Sequence, residues 1–258
     1  MMQLINDNCL NTLQEMIDSN KRVDCIITSP PYNMNLRVHS GRYMSRWGWK
    51  GNVGHFSHKY ENYKDDLMPE DYFNFQDEFI NKALQISDLM FYNIQMITGN
   101  KLALCQLLGK YAEKIKEIII WNKGYGQPAM QTGVLNSQYE FIIVFQNSKP
   151  YNRSFDYSGF ARGTETNVWD IKRERNKNIK AGFPTELVRR ILKDFVPVGS
   201  TILDPYMGSG TTGIVCKEMG YNFIGVELDN NMFDIAKERI EDCLKQKEEA
   251  NDKQPNDL

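Results

Sequence analysis

The chain's 258 residues suffice for one large α/β domain, or one domain with a small appendage. Hydrophobic residues make up 41% and aromatic residues 12%, enough for a sizeable core, which excludes wholesale disorder. The formal charge of −2 points to no polyanionic partner by itself, so where the charge sits matters more than its sum.

Five cysteines, Cys9, Cys25, Cys105, Cys216 and Cys243, are scattered, with no CxxC and no histidine at ligand spacing. Buried reduced thiols are expected, and no metal site or disulfide framework. No apolar run approaches ~18 residues, and the opening MMQLINDNCL lacks the basic and apolar parts of a signal sequence. A cytoplasmic protein with no membrane partner is expected.

In chain order, VDCIIT (23–28) is the first strand-like run, and it leads directly into SPPYN. A strand that meets Pro-Pro has been stopped. One reading is a simple turn; the other sets a hydroxyl, two rigid residues and an aromatic ring at a strand end for chemistry. Residues 34–60 follow with five Lys/Arg, five aromatics, four glycines, all three histidines and no Asp or Glu. Such a mixture suits a segment that grips phosphates and stacks on bases, with a solvated flexible loop as the alternative.

The pattern then predicts a helix over 70–88, a strand over 90–98, a helix over 101–114 and strands over 117–122 and 139–146. Residues 147–180 are irregular and basic, with eight Lys/Arg against four acids. A helix over 184–195, a strand over 200–206, helices over 211–219 and 230–246 and a strand over 222–228 complete the series. The alternation predicts an α/β sheet, mostly parallel, with helices on both faces.

The late stretch ILDPYMGSGTTGIVCKEMGYNFIGVELD (202–229) carries a second signal. A strand ends at Asp204, a Gly-Ser-Gly-Thr-Thr turn follows, and a helix with free N–H groups begins. Glu227 then stands at another strand end, where a carboxylate can accept from both ribose hydroxyls. A phosphate-binding P-loop needs a lysine after Gly210, and none is there. GSGTTG does match the spacing of a dinucleotide fingerprint through Gly213, but hydride transfer offers no role for the Ser-Pro-Pro-Tyr strand end.

TSPPYN early, DPYMGSGTT late and GVELD after it together resemble the DNA amino-methyltransferases that use S-adenosylmethionine, in the permuted group whose catalytic motif precedes the cofactor motif. EIIIWNKG, SQYEFIIVF and FPTELVRRIL fall between them in the family's order, and the resemblance runs over most of residues 4–240. It implies a Rossmann-like methyltransferase sheet of about seven strands, one of them antiparallel, and S-adenosylmethionine as cofactor. Double-stranded DNA is the implied substrate, with its target base flipped out.

The resemblance also implies roles. Ser29 and the Pro30 carbonyl would accept from the target amine, Pro31 would help hold them in place, and Tyr32 would give the base a face to stack on. Gly208, Ser209 and Gly210, lined by Asp204 and Tyr206, would admit the methionine end of the cofactor. Thr211 and Thr212 would take its carboxylate, Glu227 the ribose and Leu228 the adenine, with Phe183, Pro184 and Asn8 completing the pocket. Phe183 as core and Asp204 as a loop cap are the competing readings. Arg37, Arg42, Arg46, Trp47, Lys50, Arg153, Arg162 and Arg173 are the candidates for DNA contact.

The implied organisation is a catalytic half over 1–146 with a mobile DNA-contacting loop at 34–60, a target-recognition region over 147–180, a cofactor-binding half over 181–246 and a disordered tail over 247–258. Two departures stand out: no histidine precedes Phe183-Pro184, and Asn8 stands where relatives often carry Asp. Serine before Pro-Pro, and FP where adenine enzymes often carry KP, favour cytosine N4 over adenine N6. A homodimer and a cognate restriction endonuclease are the protein partners such enzymes take. An RNA or protein methyltransferase is the rival, although those relatives typically carry Asn at the Ser29 position and place the cofactor loop first.

Overall fold

The computed structural model describes residues 1–34, 37–39, 42–44, 57–58, 65–127, 132–148, 152–174 and 183–251. Its strands are β1 (Met2–Asn6), β2 (Cys25–Thr28), β3 (Arg37–His39), β4 (Arg42–Met44), β5 (Ser57–His58), β6 (Leu89–Ile94), β7 (Ile115–Gln127), β8 (Ser137–Gln146), β9 (Val168–Asp170), β10 (Thr201–Asp204) and β11 (Asn222–Glu227). The α-helices are α1 (Cys9–Asp18), α2 (Pro69–Ile86), α3 (Lys101–Lys110), α4 (Thr185–Phe195), α5 (Thr211–Met219) and α6 (Asn230–Asn251).

Eight strands form one sheet in the order β1-β11-β10-β2-β6-β8-β7-β9. Every neighbouring pair is parallel except β6–β8 and β8–β7, so β8 alone runs against the rest. The sheet holds two strands beyond the six of the sequence pattern, β1 and the three-residue β9, and agrees with the count of about seven that the resemblance implies, one of them antiparallel.

Each face of this sheet has its own apolar layer. Ile26, Met90, Tyr92, Leu203 and Ile224 pack with Leu13, Phe79, Ile80 and Leu104, which come from α1, α2 and α3. Cys25, Ile27, Phe91, Ile202 and Phe223 pack instead with Leu187, Ile191, Val215 and Ile240, from α4, α5 and α6. Burial on both faces explains why the central strands read as continuous apolar runs rather than alternating ones.

Several boundaries differ from the pattern. The strand expected over 90–98 stops at Ile94, because Asn100 turns the chain: its Oδ1 accepts from Ile97 N at 2.9 Å and its Nδ2 donates to Gln95 O at 3.0 Å. β1 and α1 are additions to the expected series; α1 buries Leu13 and Met16, and the short edge strand β1 completes the sheet. Of segment 34–60 the described residues include three short strands, β3 pairing antiparallel with β4 and β5. At the C-terminus α6 continues to Asn251, past the expected end at 246.

Candidate active site

Parallel strands deliver their C-terminal ends to one edge of the sheet, and β2, β10 and β11 end there at Thr28, Asp204 and Glu227. β2 and β10 are neighbours although the chain visits them at opposite ends. Helices α1–α3 lie on one side and α4–α6 on the other, so this seam is where successive connections change face. A crevice at such a point is the usual ligand site of an open α/β sheet.

The segment after β2 is held at several points. The Tyr72 hydroxyl donates to the Pro31 carbonyl at 2.7 Å, and Asn100 Nδ2 donates to the Tyr32 carbonyl at 2.9 Å. Asn33, in the left-handed region at φ 58°, is buried; its amide reaches Leu67 N, Leu67 O and Gly99 O. Pro30 is buried, while Ser29 and Tyr32 are half-buried. The Ser-Pro-Pro-Tyr segment is therefore a fixed platform, stiffer than a surface turn.

Beneath it lies a polar cluster that the sequence reading missed. Ser29 Oγ sits 2.9 Å from the Tyr32 hydroxyl, which donates to Glu140 Oε2 at 2.8 Å. Asn93 Nδ2 donates to the same Glu140 oxygen at 2.8 Å and to the Tyr32 hydroxyl at 2.5 Å. The other Glu140 oxygen accepts from Lys123 Nζ at 3.0 Å and from Arg173 at 3.4 Å. Burial lowers the Lys123 pKa, and the adjoining Glu140 carboxylate opposes that shift. The available signal was a single polar residue inside an apolar strand: Asn93 in MFYNI, Lys123 after IIIWN, Glu140 in YEFIIVF.

Across the seam, Asp204 is 2% exposed. It accepts from Thr28 Oγ1 at 3.0 Å, Thr212 Oγ1 at 2.7 Å and Tyr206 N at 3.2 Å. Burial raises its pKa to about 6 despite these bonds. Asp204 thus joins the strand end to the glycine loop. Thr212, expected at a carboxylate, spends its hydroxyl on Asp204.

Gly208 and Gly210 both adopt left-handed backbone, at φ 53° and 81°. A Cβ on Gly210 would lie 3.0–3.2 Å from Ile240 and Ala236, so close packing of α6 requires that glycine. A Cβ on Gly208 would meet nothing nearer than the Tyr206 carbonyl at 3.9 Å, so the space beside Gly208 is open. Ser209 is buried and its carbonyl accepts from Arg239; Thr211 is buried at the start of α5. The Tyr206 ring packs at a tilt against that of Phe79, centroids 5.0 Å apart.

Glu227 accepts from Gly208 N at 2.8 Å and from Asp229 N at 2.9 Å, one bond on each oxygen. Burial raises its pKa while those two N–H groups oppose the rise. The carboxylate remains half-buried, with Leu228 beside it 40% exposed. Asn8 caps α1, its Oδ1 accepting from Leu10 N at 2.9 Å. Phe183 is half-buried and packs against the α4–α6 core, and Pro184 is buried as the cap of α4.

Of the candidates for DNA contact, Arg153 and Arg162 are exposed. Arg173 is engaged with Glu140 at the floor of the cluster. Arg37 and Arg42 belong to β3 and β4, whereas Arg46, Trp47 and Lys50 lie outside the described residues.

Residues 23–238 match the family model described as DNA methylase, of the N6/N4 type. Over 134 residues the chain is 30% identical to Type II methyltransferase M.Cfr9I of Citrobacter freundii, covering 49% of this chain and 44% of that protein. Type II methyltransferase M1.MboII of Moraxella bovis is 24% identical over 261 residues, 86% of this chain and 90% of the relative. The chain spans less than half the length of M.Cfr9I, M.MthZI and M.SmaI. Among solved structures, the M1.HpyAVI–SAM complex aligns with a TM-score of 0.61 at 21% identity, over 93% of this chain and 100% of that one. PvuII DNA methyltransferase (cytosine-N4-specific) aligns with a TM-score of 0.65 at 13% identity, over 95% and 92%. These likenesses show a shared Rossmann-like fold.

Proposed function

This chain belongs to the N6/N4 DNA methylase family, and we propose that it transfers a methyl group from S-adenosylmethionine to an exocyclic amino group in double-stranded DNA. Cytosine N4 is the preferred acceptor and adenine N6 the alternative. The observation that carries this reading is the seam itself. Ser29-Pro30-Pro31-Tyr32 and the glycine loop end adjacent strands, and Thr28, Asp204 and Thr212 join them by hydrogen bonds.

The residues present suit the cofactor. The open space at Gly208 admits the methionine end, and the half-buried Glu227 keeps oxygen lone pairs for ribose hydroxyls, with Leu228 beside the adenine. Its carboxylate would meet the free N–H groups of α5 at Thr211 and Thr212, since the Thr212 hydroxyl is already engaged. Asn8 acts through the N-terminus of α1, and Tyr206, Ser209, Gly210, Phe183 and Pro184 shape the walls. When bound, S-adenosylmethionine supplies the electrophilic methyl group.

The chain's own part is alignment. An exocyclic amine is a weak nucleophile because its lone pair is delocalised into the ring, so acceptors that hold its N–H bonds favour tetrahedral nitrogen. Ser29 Oγ and the Pro30 carbonyl serve as those acceptors and stabilise the positive charge that develops on nitrogen. The Tyr32 ring gives the extracted base a stacking face. Arg153 and Arg162, with Arg37, Arg42, Arg46 and Lys50, contact phosphates, and Trp47 stacks. A second copy of the chain and a cognate restriction endonuclease are the protein partners of this reading.

Nucleoside mass spectrometry on DNA from cells expressing the chain, beside a Ser29→Ala control, tests it. N4-methylcytosine that requires Ser29 is the expected result, and N6-methyladenine would keep the mechanism while changing the base. Neither mark, from a folded chain that binds S-adenosylmethionine, would move the substrate to RNA or protein.

A further inference from the structure

Glu140 lies outside the Ser-Pro-Pro-Tyr segment, yet Tyr32, Asn93, Lys123 and Arg173 all donate to its carboxylate. A carboxylate accepts and cannot donate, so it imposes a direction on its partners. The Tyr32 phenol has one proton, which goes to Glu140 Oε2 at 2.8 Å. Toward Ser29, 2.9 Å away, the phenol can then only accept, and the Ser29 hydroxyl must be the donor. Among the described residues Ser29 Oγ accepts one long bond, from Asn93 Nδ2 at 3.5 Å, and so keeps a lone pair for an incoming N–H.

The same carboxylate orients Asn93. Its Nδ2 faces Glu140 at 2.8 Å, which turns its Oδ1 away, and that oxygen is buried without a partner among the described residues. Lys123 and Arg173 hold the far oxygen of Glu140 at 3.0 Å and 3.4 Å, with the Lys123 side chain 0% exposed. A buried ammonium demands an acceptor, so Glu140 cannot be exchanged for a donor at that end without cost.

We propose that Glu140, anchored by Lys123, is a positioning residue that sets the hydrogen-bond direction through Tyr32 to Ser29 and so presents Ser29 Oγ as an acceptor to the target amine. This rests on the methyltransferase reading and deepens it. The ion pair acts at one remove and touches neither base nor cofactor. It converts a serine hydroxyl, which can face either way, into one that faces one way.

Glu140→Gln tests the idea because it keeps size and shape while adding a donor. With Lys123 claiming the amide oxygen, the new NH2 faces Tyr32. The phenol then donates to Ser29, whose hydroxyl proton turns toward the base. The expected result is a 10- to 100-fold fall in kcat on plasmid DNA that the wild-type chain marks. S-adenosylmethionine affinity by calorimetry should stay near wild type, while the melting temperature falls because the buried Lys123 ammonium loses its charged partner.

Tyr32→Phe keeps the ring and removes the relay, so it should also lower kcat with cofactor affinity unchanged. Adding Glu140→Gln to Tyr32→Phe should cause little further loss, where independent effects would multiply. Wild-type kcat in either single variant overturns the proposal, as does multiplication in the double variant. If Glu140→Gln fails to fold, the Tyr32→Phe rate decides alone. A wild-type chain that leaves no mark on DNA overturns the methyltransferase reading and this inference together; a marking wild type beside an unimpaired Glu140→Gln overturns the inference only.

Discussion

Thr28 and Asp204, 176 positions apart in the chain, share a 3.0 Å hydrogen bond across the seam between β2 and β10. One precedes the Ser-Pro-Pro-Tyr platform and the other precedes the glycine loop, so this bond sets the spacing of the two halves of the site. Thr28→Val preserves shape and removes the donor, leaving one lone pair of a buried carboxylate unmet. A loss of about 1–3 kcal/mol in stability is expected, with cofactor affinity reduced several-fold. Denaturant unfolding and calorimetric titration with S-adenosylmethionine check both; an unchanged affinity would show that the bond does not set the spacing.

Asp204 should give the chain a measurable pH dependence. Its native pKa of about 6 exceeds the ordinary value of 3.8, so between those limits the folded state holds more protons than the unfolded state. Stability from this group therefore falls as pH rises from 3.8, and a full cost of about 3 kcal/mol stands above pH 6. Asp204→Asn should flatten the stability curve between pH 4 and pH 7 by roughly that amount. Identical slopes for wild type and variant would remove Asp204 as the source.

Glu227 serves both the Gly208 N–H and the Asp229 N–H, besides any ribose. Glu227→Ala frees the loop and deletes the ribose acceptor together, so S-adenosylmethionine affinity should fall by about 10- to 100-fold, the range of one or two charged hydrogen bonds. Adenine alone, which has no ribose, should bind both forms alike. Equal loss for adenine would mean that the loop had collapsed.

The two loop glycines separate packing from ligand access. Gly210→Ala forces a Cβ to 3.0–3.2 Å from Ile240 and Ala236, at a φ of 81°, and should cost about 1–3 kcal/mol of stability. Gly208→Ala meets open space, so it should cost only the backbone strain of about 1 kcal/mol while weakening cofactor binding. Thermal melts with and without S-adenosylmethionine distinguish them.

Charge reversal at Arg42 and Arg46 together should weaken DNA binding and flatten its dependence on salt by about one logarithmic unit of slope for each phosphate no longer neutralised. Cofactor affinity should not change. The pair Arg153 and Arg162, both exposed, should behave alike. Unaltered DNA affinity would remove the segment concerned from the interface.

Much of the fold was legible because its strands are short and its punctuation is local: Pro-Pro after β2, glycines after β10 and an acid at the end of β11 all act within a few residues of themselves. The polar floor was not legible. Asn93, Lys123 and Glu140 each show only as a polar residue in an apolar strand, with nothing to link them to Tyr32, and only the fold brings Tyr32 and Glu140, 108 positions apart, into contact. Asp204 shows the same limit, since a strand-end acid reads alike whether it faces a ligand or a buried threonine. Glu140 reaches the site at all because β8 runs backwards, which puts its start at the edge where the other strands end.

β1 and β2 follow one another in the chain, yet β11 and β10 lie between them in the sheet. In the finished sheet the first two strands stand about 14 Å apart, three strand spacings, a gap that only the last two strands to be synthesised fill. Every segment of the Ser-Pro-Pro-Tyr floor has by then been synthesised, but the seam beside it has no second wall. Assembly of the site is thus a late act of synthesis, and an interrupted translation product lacking β10 and β11 has neither the glycine loop nor the Thr28–Asp204 bond that sets its spacing.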